Sequence, residues 1–205
     1  EIDLYVTQVD EKNVKKYVFK NFSGKINYHN IKSNKYKWSL SEVFKFGLKN
    51  FLKKNYDYIA WSASDLIIDK NCLRALKKNK KKSMLTFFPN ISNRKKNLVE
   101  FGLDIFFFKI DKENAKIMLK ILNEFPNQNW GMFEHYLFAL SELFKLKKIN
   151  LRTECKIYKN ENMPRNTDTN LLSWKKNKVQ LKKMLKKYKL SNLYANGSMY
   201  FLAFK

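Results

Sequence analysis

Hydrophobic and polar positions along the chain follow two different periods. Residues 2–9 alternate between apolar and polar side chains, which is typical of a strand, and a second strand is predicted at 25–31 after a turn at Ser23 and Gly24. Short apolar runs at 56–61, 83–88 and 103–110 are rich in aromatic or β-branched residues and indicate three further strands. The pattern therefore predicts five strands within the first 110 residues.

Between and after these strands, apolar residues recur at helical spacing. Ser39 and Glu42 form a capping box at the start of one helix, and Asp111 is placed to cap another, which Pro126 ends. Strands that alternate with helices predict an α/β fold with a mainly parallel central sheet flanked by helices. The predicted helices span residues 12–20, 39–55, 69–76, 113–125, 131–146 and 174–190.

Length and composition are those of a globular protein of one-domain size. The chain has 205 residues, of which 44% are hydrophobic and 16% aromatic, and this excludes a disordered chain. We assign residues 1–150 to an α/β domain, and residues 151–205 to a C-terminal loop and basic amphipathic helix packed on the same domain. Because the chain begins at Glu1 and passes directly into a strand, we expect that an N-terminal piece is missing.

The formal net charge of +24 favours negatively charged partners. Nucleic acid is the less favoured partner, because only four of the 42 basic residues are arginine, the side chain that contacts bases and phosphates at two points. The charge is also consistent with compositional drift in an AT-rich genome, and with a surface that attracts anionic lipid or a polyanionic acceptor. No apolar run approaches the roughly 20 residues that span a bilayer.

The two cysteines, Cys72 and Cys155, are far apart in the sequence. Their number and spacing do not indicate a disulfide framework or a zinc site. We therefore expect both thiols to be reduced, in a cytoplasmic protein.

A single carboxylate follows the aromatic-rich strand in the segment 56–68, YDYIAWSASDLII. Asp65 comes directly after small residues, so its oxygens can reach a ligand while the strand stays buried. Ligands of α/β sheets bind at the carboxyl ends of the strands, which is where Asp65 falls. The alternative is that Asp65 caps a turn together with Asp69.

This order of helix, strand, acidic turn and helix resembles nucleotide-sugar-dependent glycosyltransferases of the GT-A fold, broadly like glycosyltransferase family 2. In that family a segment such as "dyilflDsD" ends a buried strand in a DxD motif that holds a divalent metal and the sugar nucleotide. The matching positions here are Ala63, Ser64 and Asp65, so the first Asp is absent. The resemblance implies donor binding by Ser64 and Asp65, with Mn²⁺ or Mg²⁺ at Asp65, and it covers residues 1–146.

The segment 129–136, NWGMFEHY, matches the family's second motif, an "ED" pair whose carboxylate acts as the base. The resemblance implies that Glu134 is the base, or that His135, titrating near neutral pH, takes its place. Trp130 is a candidate platform for the sugar ring, and a core position is the alternative. Glu134 could equally offset the helix dipole, with His135 a surface or packing residue. Asp10, at the end of the first strand, is a candidate nucleotide-binding acid.

These residues predict a glycosyltransferase that moves a sugar from a nucleotide-sugar donor to a surface glycan or glycolipid acceptor. The expected location is the cytoplasm, with peripheral contact between the basic C-terminal helix and an anionic inner membrane face. Two alternatives stay open: a non-catalytic basic module that binds nucleic acid or another polyanion, and a degenerate transferase-like protein without turnover.

Overall fold

In the computed structural model the chain is a mixed α/β protein, as the sequence predicts. The residues described are 4–8, 26–30, 40–62, 66–68, 70–78, 84–87, 90–93, 98–100, 105–126, 133–150, 157–159, 171–193 and 200–202. The helices among them are α1 (Leu40–Lys53), α2 (Lys70–Lys78), α3 (Lys112–Glu124), α4 (Phe133–Leu143) and α5 (Leu171–Lys187). The strands are β1 (Leu4–Gln8), β2 (Ile26–Asn30), β3 (Ile59–Ser62), β4 (Leu66–Ile68), β5 (Met84–Phe87), β6 (Asn90–Asn93), β7 (Leu98–Glu100), β8 (Ile105–Lys109), β9 (Lys147–Asn150), β10 (Ile157–Lys159) and β11 (Tyr200–Leu202).

The largest described sheet has the strand order β3-β8-β5-β9. Strand β8 is antiparallel to both of its neighbours, and β9 is parallel to β5. It follows that β3, β5 and β9 run in one direction and β8 runs against them. Two of the three strand pairs in this sheet are antiparallel, because β8 runs against its neighbours, so the prediction of a mainly parallel sheet is not confirmed. An apolar strand that is buried on both faces has the same composition in either direction, so the sequence does not reveal this reversal.

The remaining described strands form three smaller groups. Strands β1 and β2 are parallel, β4 and β10 are antiparallel, and β11, β7 and β6 form an antiparallel three-stranded sheet. Six strands were not predicted from the sequence, and each has only three or four residues, too few for a recognisable alternation: β4, β6, β7, β9, β10 and β11. The predicted helix at 12–20 lies outside the described residues.

Aromatic side chains fill one face of the sheet. Phe106 and Phe108 of β8 are fully buried, and their ring centroids lie 5.5 and 5.8 Å from that of Phe44 in α1. Trp61 of β3 stacks on Phe106, with the ring planes 16° apart. These contacts place α1 over the face that carries Phe106 and Phe108, and bury one of its sides completely.

Helix α2 covers the opposite face. Lys109 lies on that face because its side chain alternates with that of Phe108, and its Nζ atom is 5.7 Å from the centroid of the Tyr58 ring. The Tyr58 hydroxyl donates a hydrogen bond of 2.7 Å to the carbonyl of Leu76 in α2. The sheet therefore has helices on both faces, which is the layered arrangement expected of an α/β fold.

Side-chain contacts hold the ends of α3 and α5. The Asp111 side chain accepts a hydrogen bond of 2.7 Å from the backbone N–H of Asn114, which confirms the predicted cap. Helix α5 packs next to α3: Lys187 forms an ion pair with Glu124, and the Tyr188 ring contacts Phe125. The apolar residues of α5 that are fully buried are Leu181, Met184 and Leu185.

The cysteines differ from the expectation of free thiols. Cys72, in the first turn of α2, has no exposed surface and is disulfide-bonded. Cys155 lies outside the described residues. The prediction was wrong because sequence spacing does not show which distant segments lie together in the fold. Here the pairing of β4 with β10 brings residues 66–68 next to residues 157–159.

Candidate functional site at the carboxyl edge of the sheet

The carboxyl ends of three strands meet at one edge of the four-stranded sheet. Strand β3 ends at Ser62, β5 at Phe87 and β9 at Asn150. Ser62 is paired with Ile105, the first residue of β8, and Phe87 is paired with Asn150. Neighbouring strands lie about 4.8 Å apart, so this edge is roughly 15 Å wide from β3 to β9.

The chain leaves β3 at this edge after Ser62. Only residues 63–65 separate the end of β3 at Ser62 from the start of β4 at Leu66. Ser64 and Asp65 therefore follow directly on the carboxyl end of a strand of the sheet, although both lie outside the described residues. Asp10 and Trp130, two other candidates from the sequence, lie outside them as well.

A turn after α4 fixes the direction of that helix against β9. Lys145 has a φ of 51°, in the left-handed region. The Lys145 N–H donates to the carbonyl of Glu142, and the Leu146 N–H donates to the carbonyl of Ser141. These two bonds are a Schellman motif, which ends the helix and reverses the chain. Strand β9 begins at the next residue, so α4 and β9 run in opposite directions.

Side-chain contacts hold α4 along β9. Lys148, the second residue of β9, forms an ion pair with Glu142 near the end of α4. Its Nζ atom also lies 5.2 Å from the centroid of the Phe138 ring, one helical turn further back. Both contacts require α4 to run back along the strand rather than away from it.

The first turn of α4 consequently points towards the carboxyl edge. The 11 residues of α4 rise about 16 Å, and the four residues of β9 extend about 13 Å. The two lengths match, so the helix starts at about the level where β9 ends. Glu134 is the second residue of α4 and His135 the third. The structure describes the backbone position of Glu134.

His135 does not titrate near neutral pH, contrary to the expectation from the sequence. Burial lowers its pKa from 6.5 to about 4, because the imidazolium would lose much of its hydration. Its Nδ1 atom is buried and has no hydrogen-bond partner among the described residues. At pH 7 the ring is neutral, and its low basicity makes it a poor acceptor for the proton of a hydroxyl group.

Tyr136 is a second buried polar side chain in this part of α4. The residue has no exposed surface, its hydroxyl lacks a hydrogen-bond partner within the part of the chain that the structure describes, and burial raises its pKa. Leaving such a hydroxyl unpaired costs about 1–3 kcal/mol. Sequence reasoning did not single out Tyr136, because a tyrosine on the apolar side of a helix has the pattern of an ordinary core residue.

Strand β10 brings a further residue to the acidic turn. Lys159 is paired with Leu66, the residue that follows Asp65. The backbone of Lys159 therefore lies beside the residue that follows Asp65 in the sequence. No sequence signal pointed to Lys159, because a three-residue strand among many lysines has no distinctive pattern.

Among the described residues, no group of three or more His, Cys, Asp or Glu side chains is arranged to hold a metal ion. Within that same part of the chain, no helix is both long enough and apolar enough to cross a membrane. Comparison of the chain with protein-family models, with curated proteins and with solved structures finds no match.

Proposed function

We propose that this protein is a glycosyltransferase of the GT-A fold, which moves a sugar from a nucleotide-sugar donor to a surface glycan or glycolipid acceptor. The observation that supports this most is the shared direction of β3, β5 and β9 together with the reversed direction of α4. These directions favour a site at one edge of the sheet, to which Asp65 would come from the connection after β3 and Glu134 from the first turn of α4.

The donor occupies the acidic turn in this proposal. Ser64 and Asp65 contact the sugar nucleotide, Asp10 the ribose or base, and Trp130 the sugar ring. Asp65 with the neighbouring hydroxyl offers a hard oxygen site, and Mg²⁺ and Mn²⁺ often use only one or two protein carboxylates, with water and phosphate oxygens for the rest. A bound cation would neutralise charge on the departing diphosphate. Lys159 adds a fixed positive charge near that turn.

Glu134 acts as the general base. Its carboxylate accepts the proton of the acceptor hydroxyl while that oxygen forms a bond to the anomeric carbon. The bond between the anomeric carbon and the diphosphate oxygen breaks, and the diphosphate leaves with the electron pair. Because the pKa of His135 is about 4, we assign the base to Glu134 and a neutral, orienting role to His135.

The lysine-rich outer side of α5 supports peripheral contact with an anionic surface. Its residues Leu181, Met184 and Leu185 are buried in the domain, so they are not available for insertion into lipid, whereas Val179 is exposed. The exposed residues of the helix include the lysines Lys182, Lys183 and Lys186. Such a contact is electrostatic and should weaken steeply as salt is added.

The same helix favours a second candidate, a basic module that binds a polyanion without catalysis. Helix α5 contains several lysines and no acidic residue. Counterions are released from a polyanion when it binds a basic surface, so the affinity falls steeply as salt is added. The affinity for a nucleotide sugar in a pocket depends far less on salt. Titration with random DNA and with a nucleotide sugar at two salt concentrations separates the two candidates.

Thermal stabilisation by ligands tests the proposed function. UDP, GDP, CMP and dTDP sugars are screened with and without Mn²⁺, since a ligand that binds only the native state raises the melting temperature. At 100 times its Kd, the true donor should raise the Tm by about 5–10 °C. The variant Asp65→Ala should lose this shift, and Asp57→Ala, a surface acid before β3, should retain it. No shift with any nucleotide sugar would overturn the proposal.

A further inference from the structure

We infer that Cys72 is bonded to Cys155, and that the protein acquires this disulfide in an oxidising compartment. The bond fastens the chain that follows β9 to the chain that follows the acidic turn. This inference does not depend on the proposed function, because it rests on the state of Cys72 and on the pairing of two strands.

The state of Cys72 is the first step. The residue is disulfide-bonded and has no exposed surface. The chain contains two cysteines, so an intramolecular bond leaves Cys155 as the one remaining partner. The buried residues Ala75 and Leu76 lie on the same side of α2 as Cys72, so the bond sits at the inner surface of this helix and not at its solvent side.

The ladder between β4 and β10 supplies the proximity. These strands are antiparallel, with Ile68 paired with Ile157. The carboxyl end of β4 therefore lies beside the start of β10. Cys72 comes four residues after Ile68, and Cys155 comes two residues before Ile157, so the two cysteines flank the same end of the ladder. A disulfide requires Cα atoms about 4.4–6.8 Å apart, which this arrangement makes accessible.

The chemistry requires an electron acceptor. Each thiol loses its proton, one sulfur–sulfur bond forms, and two electrons pass to another disulfide, which is reduced to two thiols. Oxidising compartments supply such acceptors, whereas the glutathione and thioredoxin systems of the cytosol keep thiols reduced. The protein is therefore oxidised during maturation and does not keep the two reduced thiols expected from the sequence.

The position of the bond gives it a structural consequence. Strand β4 begins at Leu66, directly after Asp65, and continues into α2 and Cys72. A covalent link at the far end of this short strand holds β10 and its Lys159 against the acidic turn. Reduction should loosen this ladder first, because in β4 and β10 it consists of three residue pairs.

Mass spectrometry tests the bond directly. The full chain is produced in an oxidising compartment, purified without reductant, denatured and treated with iodoacetamide. We expect no alkylated cysteine without reductant, two after reduction, and one cross-linked peptide that joins Cys72 to Cys155. Two alkylated cysteines without reductant would overturn the inference, and so would a disulfide-linked dimer on a non-reducing gel.

Paired variants test what the bond does. Cys155→Ala should lower the Tm of the oxidised protein by about 5–15 °C and leave the Tm in reductant unchanged. Cys72→Ala and the double variant should lose a similar amount, because the two residues act as one unit. An unchanged Tm for Cys155→Ala in the oxidised state would contradict the role. Neither measurement involves a nucleotide sugar, so this inference and the proposed function fail separately.

Discussion

Lys148 of β9 forms an ion pair with Glu142 of α4, and both side chains are partly withdrawn from water, with 19% and 33% of their surface exposed. The pair joins the end of the helix to the start of the strand. It thereby fixes the direction of α4, and with it the level at which Glu134 lies relative to the carboxyl edge of the sheet. A contact about 12 Å along the helix from the proposed base thus supports the geometry of the site.

The coupling between Lys148 and Glu142 should be measurable. In a double-mutant cycle with Lys148→Met and Glu142→Gln, we expect an interaction free energy of about 1 kcal/mol, because a partly buried pair is less screened by solvent. The control is the pair Lys116 and Glu113, whose side chains are 60% and 78% exposed. Urea unfolding of that cycle should give a coupling near zero, and equal couplings for both pairs would contradict this account.

Replacing Lys145 by glycine should stabilise the protein. Lys145 holds a φ of 51°, which is unfavourable for a residue with a Cβ atom, whereas glycine adopts it freely. We expect Lys145→Gly to raise the free energy of unfolding by about 0.5–1 kcal/mol, after allowance for the greater entropy of glycine in the unfolded chain. Lys147→Gly, in a strand, is the matched control and should destabilise. Destabilisation by Lys145→Gly would show that the turn is built differently.

Truncation of Phe106 should be among the most damaging core substitutions. Its ring is fully buried and contacts three aromatic neighbours, Phe44, Trp61 and Phe108. Phe106→Ala should cost about 3–5 kcal/mol, from lost burial and from the cavity that remains. Ile117→Ala, at a position that is 45% exposed, should cost well under that amount. Chemical denaturation of both variants checks the ranking.

His135 should make stability depend on pH in the acid range. Its pKa is about 4 in the folded protein and about 6.5 when unfolded, so the unfolded state binds the proton first as the pH falls. Above pH ~6.5 His135 therefore does not change the free energy of unfolding. By pH ~4 it lowers the free energy of unfolding by roughly 3 kcal/mol. His135→Gln should therefore lose less stability than the wild type between pH 7.5 and 4.5. An identical loss of stability in wild type and His135→Gln would refute the assignment.

Local signals in the sequence predicted much of the fold. Asp111 is predictable as a cap because its short side chain, placed just before an apolar helical pattern, can accept a hydrogen bond from a backbone N–H of the first turn. The helical spacing of apolar residues predicts α1, α3 and α4, because such spacing places these residues on one side of a helix. The turn at Lys145 could not be foreseen, since lysine has no preference for a positive φ and a glycine would have been the usual signal.

Long-range features were beyond the sequence. The pairing of Leu66 with Lys159 joins parts of the chain that share no local pattern, and the bonded state of Cys72 has no local signal either. The low pKa of His135 is likewise a result of burial and not of its neighbours along the chain. The sequence therefore gives the order of the candidate residues, Asp65 and then Glu134. It does not give the electrostatic environment around them.

Turnover and donor affinity measured separately for Glu134→Gln test the central claim most directly. If Glu134 is the base at the edge where Asp65 binds the donor, the variant should bind the nucleotide sugar within about threefold of the wild type and transfer sugar at least ~100-fold more slowly. Lys112→Gln, on the surface of α3, is the control and should keep both values. Unchanged turnover in Glu134→Gln would contradict the account.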